Sequence, residues 1–283
     1  MTPSISDSAP VDNASLRAAV EAFATKPEQS TYLDVVRGCL QGRLLLDSTG
    51  SDRPTVEPDG SYSFPAGATL QFAGGTGPDG RPALFAFTSQ QQINRMHPDD
   101  LSEVQALVQP AAGALQLAST ERYGWLYIDP AGPTCAISNR DAAFALRGDR
   151  NDAVKAALEI ADPQASKAAV IDALAENGPL LLAVDTDSVP ASGVSDGTPV
   201  RIRDSVDPDG NPVLLAFTSG PEVSARNIAD SFATRPAAEI IHDAIQAPYG
   251  GLVINPGGPW MALSADELRV VLHRIAGTTQ PSN

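Results

Sequence analysis

The chain predicts an α+β fold built twice in tandem, each copy a layered domain in which helices pack a mixed, largely antiparallel sheet. Three observations carry this. Residues 78–89 (PDGRPALFAFTS) return as 208–219 (PDGNPVLLAFTS), with nine of twelve positions identical. Residues 123–138 (YGWLYIDPAGPTCAIS) return as 249–264 (YGGLVINPGGPWMALS), with nine of sixteen identical and no gap. The two motifs keep their order, and both join short apolar runs to turn residues and helical periodicity.

The first copy reads as follows. Residues 1–13 are small, polar and proline-containing and are expected to form a disordered tail. Leu16, Ala19, Val20 and Phe23 fall at helical spacing, and a second helix spans about 32–40 with Gly42 as its stop. Leu44, Leu45 and Leu46 form a short run of buried-strand type. Residues 51–67 are rich in Pro, Gly and Asp and read as a loop. A strand is expected at 69–72, a glycine-rich turn at 74–80, and a return strand at 84–87. Thr88 or Ser89 is placed to cap the next helix, and 104–117 reads as a helix interrupted or restarted at Pro110. Strands are expected at 125–128 and 135–137, separated by a Pro-Gly-Pro turn, and Ser138 caps a last helix.

The second copy repeats the plan with a shorter loop before its hairpin. Helices are expected at 153–160, 166–176 and 237–245, and strands at 180–184, 200–203, 213–217 and 251–254. Ser264 lies three residues before Glu267, a capping box for the final helix. The organisation expected is a tail at 1–13, a first domain at 14–148, a second at 149–277 and a tail at 278–283.

Length and composition limit the functions open to the chain. At 283 residues and 42% hydrophobic, it has room for two domains with their own cores. Net charge is -15. Residues 14–148 hold 10 basic and 14 acidic side chains, and residues 149–283 hold 9 and 18, so the second copy is the more acidic. No basic stripe suits a phosphate backbone, so nucleic-acid binding is not expected. An anionic membrane surface would repel the chain, and no apolar stretch is long enough to span a bilayer. The acidity serves solubility, or the steering of a basic partner. Cys39 and Cys135 suggest neither a disulfide framework nor a metal knuckle, and with no secretory signal the expected location is the cytoplasm.

No catalytic constellation stands out. His97, His242 and His273 lie outside both repeated motifs, and there is no nucleophile elbow. His97-Pro98-Asp99-Asp100 reads as a turn and an acidic helix start, and Asp204 to Asp209 as a solvated hairpin turn. Gly74 to Gly77 lacks the lysine and helix of a phosphate cradle and reads as a flexible connection. Catalytic residues, metal ligands and cofactors are therefore not expected.

The remaining candidate is the turn Asn255-Pro256-Gly257-Gly258-Pro259-Trp260, with Asp129-Pro130-Ala131-Gly132-Pro133-Thr134 as its counterpart. Prolines and glycines fix its backbone, and Asn255 or Asp129 can turn the chain through side-chain hydrogen bonds. In the functional reading, Asn255, Gly257, Gly258 and Trp260, with Asp129 and Gly132, form an interaction loop with open backbone donors and an aromatic anchor. Trp260 packed into the core is the competing reading.

The Phe217-Thr218-Ser219 strand end, the Gly251-to-Pro259 segment and Leu263-Ser264 resemble the SseB-like (enhanced serine sensitivity) family, in its N-terminal domain. The first copy departs from that pattern at Asp129 and Ala131. The resemblance covers most of residues 14–277 and implies two tandem domains of that type, with no established catalytic residues. The expected function is a non-enzymatic protein-interaction or regulatory module whose partner is another protein. The alternative is a small-ligand-binding or weakly enzymatic protein with its pocket at the 255–260 turn. A homo-oligomer, with the motifs only building the fold, is a third reading.

Overall fold

A computed structural model describes residues 10–53, 55–56, 62–63, 65–188 and 201–278. The chain divides into two compact units, Met1–Leu146 and Arg147–Asn283. Both are α+β, and apart from one short strand pair in unit 1 and a 3-10 turn at Thr186–Ser188 in unit 2 their described elements follow one order.

Unit 1 begins with α1 (Ala14–Thr25) and α2 (Gln29–Gly38). Asn13 caps α1 by accepting from the Leu16 N–H, and Leu16 and Val20 point inward. Then come β1 (Arg43–Asp47), the short pair β2 (Thr55–Val56) and β3 (Tyr62–Ser63), β4 (Gly74–Thr76), β5 (Pro82–Ala86) and α3 (Gln90–Met96). The unit closes with β6 (Ala106–Pro110), α4 (Ala111–Ala118), β7 (Trp125–Ile128), β8 (Cys135–Ser138) and α5 (Asn139–Ala145). A four-stranded sheet runs β4-β5-β7-β8, with β5 and β7 parallel and the outer pairs antiparallel. β1 pairs antiparallel with β6 and bridges to Phe87 through Leu45.

Unit 2 contains α6 (Asp152–Leu158), α7 (Pro163–Ala175), β9 (Pro179–Val184), β10 (Asp204–Val206), β11 (Pro212–Ala216) and α8 (Gly220–Arg226). It continues with β12 (Ser231–Pro236), α9 (Ala237–Ala244), β13 (Gly251–Ile254), β14 (Met261–Ser264) and α10 (Ala265–Thr278). Its sheet β10-β11-β13-β14 has the same directions, and β9 pairs with β12 and bridges to Phe217 through Leu181.

The triple-leucine run is explained by burial on both faces. Leu44 and Leu46 enter the main core with Leu84, Leu126 and Ile137, while Leu45 faces Phe87 and Ile93. Leu180 and Leu182 against Leu181 and Ala183 repeat the division. The two cysteines are free and buried in the first core, where burial pushes the Cys135 thiol up to about 12 and Cys39 higher still.

Four expectations are corrected. Residues 106–110 are a strand, not helix, and helix starts only after Pro110. Alternating exposure along β6 shows why: its inward residues pair with the buried β1, and that pairing outweighs local propensity. β12, which the sequence did not suggest, is its counterpart. The hairpin arms lie later than expected, at 74–76 and 204–206, and Val200 falls outside the described residues. Gly74 to Gly77 is thus packed strand and turn. A Cβ on Gly74 would stand 2.3 Å from the Ala83 carbonyl, and one on Gly77 2.0 Å from the Trp125 ring. No helix starts at Asp99; residues 98–104 form turns, and His97 Nε2 meets Asp47 Oδ2 at 2.6 Å.

Candidate functional site

The turn between β13 and β14 begins where two parallel strands part. β11 leaves its pairing with β13 at Ala216 and runs through Phe217, Thr218 and Ser219 into α8. Asn255, the first residue after β13, fills the fork. Its N–H donates to the Ala216 carbonyl at 2.9 Å. Its Oδ1 accepts from the Thr218 N–H at 2.9 Å, and its Nδ2 donates to Thr218 Oγ1 at 2.8 Å. The residue is 0% exposed and sits at φ 51°, left-handed backbone that Asn adopts more readily than most residues.

Asp129 occupies the same fork in unit 1, at φ 53° and 1% exposed. Its Oδ1 accepts from the Thr88 N–H at 2.9 Å and its Oδ2 from Thr88 Oγ1 at 2.7 Å. The two hydroxyls therefore play opposite roles. Thr88 donates to a carboxylate, whereas Thr218 accepts from an amide. Burial raises the Asp129 carboxyl above its ordinary value, against the pull of the Thr88 hydrogen bonds and of Arg17 and Arg95.

Asn255 and Asp129 thus face inward, and their side chains are not available to a partner. The expected open backbone donors are also partly used: the Gly258 N–H turns back to the Asn255 carbonyl at 3.1 Å, as Gly132 does to Asp129 at 3.2 Å. Gly257 rests on the backbone of Ala225 in α8, and Gly132 faces Arg95 and Gln92 of α3. Trp260 is the member of the set whose side chain reaches solvent, at 61% exposed, beside the exposed backbone of Gly257 and, in unit 1, of Gly132. The core-packed reading of Trp260 is therefore set aside. Trp125, by contrast, lies over Gly77 and donates from Nε1 to Asp79 Oδ1 at 2.8 Å.

Sequence reasoning missed the layer beneath the turn. Thr88 and Thr218 belong to the repeated FTS segment; Thr88 does not cap α3, and Ser89 and Ser219 hold the N-cap positions without a side-chain cap. Under the second turn, Glu222 of α8 is 0% exposed and its Oε1 meets Lys155 Nζ of α6 at 2.5 Å. Glu159 approaches the same ammonium at 3.6 Å. The corresponding residues in unit 1 are Gln92, which accepts from Arg95, and Arg17, paired with Asp12 at 2.6 Å. Each unit thus buries one carboxylate beneath its turn, Asp129 in the first and Glu222 in the second, with a basic residue of its first helix nearby.

Among the described residues, no group of three or more His, Cys, Asp or Glu is placed to hold a metal, and no helix is long and apolar enough to cross a membrane. A cleft of about 230 Å³ in unit 2 is lined by Ile202, Leu214, Asp243, Gln246, Ala247 and Tyr249. None of residues 255–260 contributes to it.

These features define a protein of two α+β units, each with a turn locked from below by an Asn or Asp. The SseB protein N-terminal domain matches the chain twice, over residues 16–141 and 152–270. The chain belongs to that family and carries its domain in two tandem copies. No curated protein and no solved structure matches it.

Proposed function

We propose that the protein is a non-enzymatic interaction or regulatory module that recruits another protein through the 255–260 turn of its second unit. The observation that carries this reading is Trp260, exposed at the end of a loop, just before β14, whose start is fixed by the buried Asn255–Thr218 pair. A large aromatic held on a pre-set backbone loses little conformational entropy on binding, which is the property of an interface anchor. The counterpart in unit 1 carries Thr134, whose hydroxyl donates to the Ile128 carbonyl within the loop. Recruitment is therefore assigned to unit 2. The same reading places the protein in a reducing compartment such as the cytoplasm, supported by its two unpaired, buried thiols.

Affinity capture with the full chain and with Trp260→Ala tests it, using an extract of the producing cells and mass spectrometry. A partner recovered by the native chain and depleted at least tenfold with the variant is expected, equivalent to ~1.4 kcal/mol at the anchor. Equal recovery by both proteins would refute the assignment.

A further inference from the structure

The cleft in unit 2 marks a place where the two copies differ in kind. Ile202 stands two residues before β10, as Phe72 stands two before β4. Asp243 is the seventh residue of α9, as Leu117 is of α4. Leu84 and Tyr123 in unit 1 correspond to Leu214 and Tyr249. In the first unit the larger, uncharged Phe72 and Leu117 pack against the core together with Tyr123. In the second, the shorter Ile202 and the charged Asp243 leave about 230 Å³ open.

The chemistry of the opening is specific. Ile202, Leu214, Ala247 and Tyr249 supply apolar walls and an aromatic ring, while Asp243 and Gln246 supply polar groups. Asp243 Oδ2 pairs with Arg235 Nη1 at 2.6 Å, and Arg235 Nε is shared with Glu239 at 3.0 Å. Asp204 also acts here: burial first, then the charges of Asp204 and Asp243, raise the Tyr249 hydroxyl. Glu239 and Asp243 thus share one guanidinium, and the charges of Asp204 and Asp243 both reach the Tyr249 ring at the opening. The volume lies below the roughly 300–1,000 Å³ of sites for whole small molecules or cofactors. It matches a single side chain. Apolar walls suit a methylene stem, and the carboxylate and ring suit a cationic head.

We propose that this cleft receives one arginine or lysine side chain of a partner polypeptide. This inference rests on the reading that the chain recruits proteins, but uses a separate surface: the cleft borders Tyr249, before β13, and Trp260 follows that strand at its other end. The second unit's greater acidity favours approach by a basic segment.

The test is a titration of the isotope-labelled full chain, followed by backbone amide shifts. The probes are a short glycine-serine peptide with one central arginine, the same peptide with citrulline, and free agmatine. The arginine peptide is expected to shift the amides of Ile202, Leu214 and residues 243–249 with millimolar affinity. Citrulline in its place, or Asp243→Asn in the protein, is expected to weaken binding about tenfold through loss of a charge-assisted contact. Ile202→Phe restores the residue of the first unit, fills the space and should abolish the shifts. Equal binding of the citrulline peptide, undiminished binding to Ile202→Phe, or no saturable shift in the cleft would overturn the proposal. Saturation by agmatine with none by the peptide would overturn the polypeptide assignment. Trp260→Ala leaves the cleft intact, so its peptide titration should match the native one. A failed cleft and a failed Trp260 loop are therefore told apart.

Discussion

Replacing Asn255 with alanine removes the fork between β11 and β13 with almost no change in backbone bulk. Three losses add. The Thr218 N–H, in a residue only 1% exposed, loses its acceptor, and a buried unsatisfied donor costs about 1–3 kcal/mol. The hydrogen bond to Thr218 Oγ1 is lost, worth about 1 kcal/mol. Alanine must then hold the positive φ of position 255, at about 1–2 kcal/mol. The expected destabilisation of unit 2 is roughly 3–6 kcal/mol, a large share of what a single domain has. With a urea dependence near 2 kcal/mol per molar, its midpoint falls by about 2 M. Pulse-labelling hydrogen exchange across a urea series reads the two units separately: peptides covering β11 and β13 should shift, and those covering β5 and β7 should not. Asn255→Gly separates strain from hydrogen bonding, because glycine tolerates the backbone but still lacks the side chain. It should recover about 1 kcal/mol relative to alanine and no more. A shift below about 0.5 M for alanine, or full stability for glycine, would refute the account of the fork as a hydrogen-bonded lock.

Two further outcomes follow from the buried charges. Burial raises the Asp129 carboxyl, so its proton-linked contribution to unit 1 is fully present below the unfolded value near 4 and is lost as pH rises through the higher folded value. Asp129→Asn should flatten the pH dependence of unit 1 stability just above pH ~4, measured by the same exchange method; an unchanged profile would show that Asp129 does not titrate there. In unit 2, Glu222→Gln leaves Lys155 with only the longer contact to Glu159, and Asn255→Asp adds a second buried carboxylate. Each should cost about 2–4 kcal/mol alone, and the pair together should cost less than their sum by about 1–3 kcal/mol; strict additivity would show that the two positions do not share a charge balance.

Much of the fold could be read from the chain because duplication doubled every signal. β13 and the start of α10 were legible from Gly251 to Ile254 and from the Ser264–Glu267 capping box, where Ser264 N–H donates to Glu267 Oε2 at 2.9 Å. β6 and β12 were not, since residues 106–110 and 231–236 carry no strong periodicity and become strands only by pairing with the buried β1 and β9. The glycine run at 74–77 looked permissive because its constraint comes from Trp125 and Phe85, distant in sequence. The site was half legible. The turn and its exposed Trp260 could be named, but burial of Asn255 could not, because a residue that turns a loop and one that locks it from below have the same identity.

The difference between the copies points to how the turn is held. At the fork, unit 1 has a carboxylate and unit 2 an amide; one helix away, unit 1 has the amide of Gln92 and unit 2 the carboxylate of Glu222. The positive group, Arg17 or Lys155, comes from the corresponding position of the first helix in each unit. The charge has therefore moved between two sites while the amount buried has stayed constant. Burying two carboxylates beside one cation would leave one unpaired, at a cost of several kcal/mol. Burying none would leave Lys155 with only its longer contact to Glu159, whereas Arg17 would keep its pair with Asp12. The Asn255 of the second copy follows from where its carboxylate sits, and the identity of that residue records a constraint on folding and not a contact with a partner.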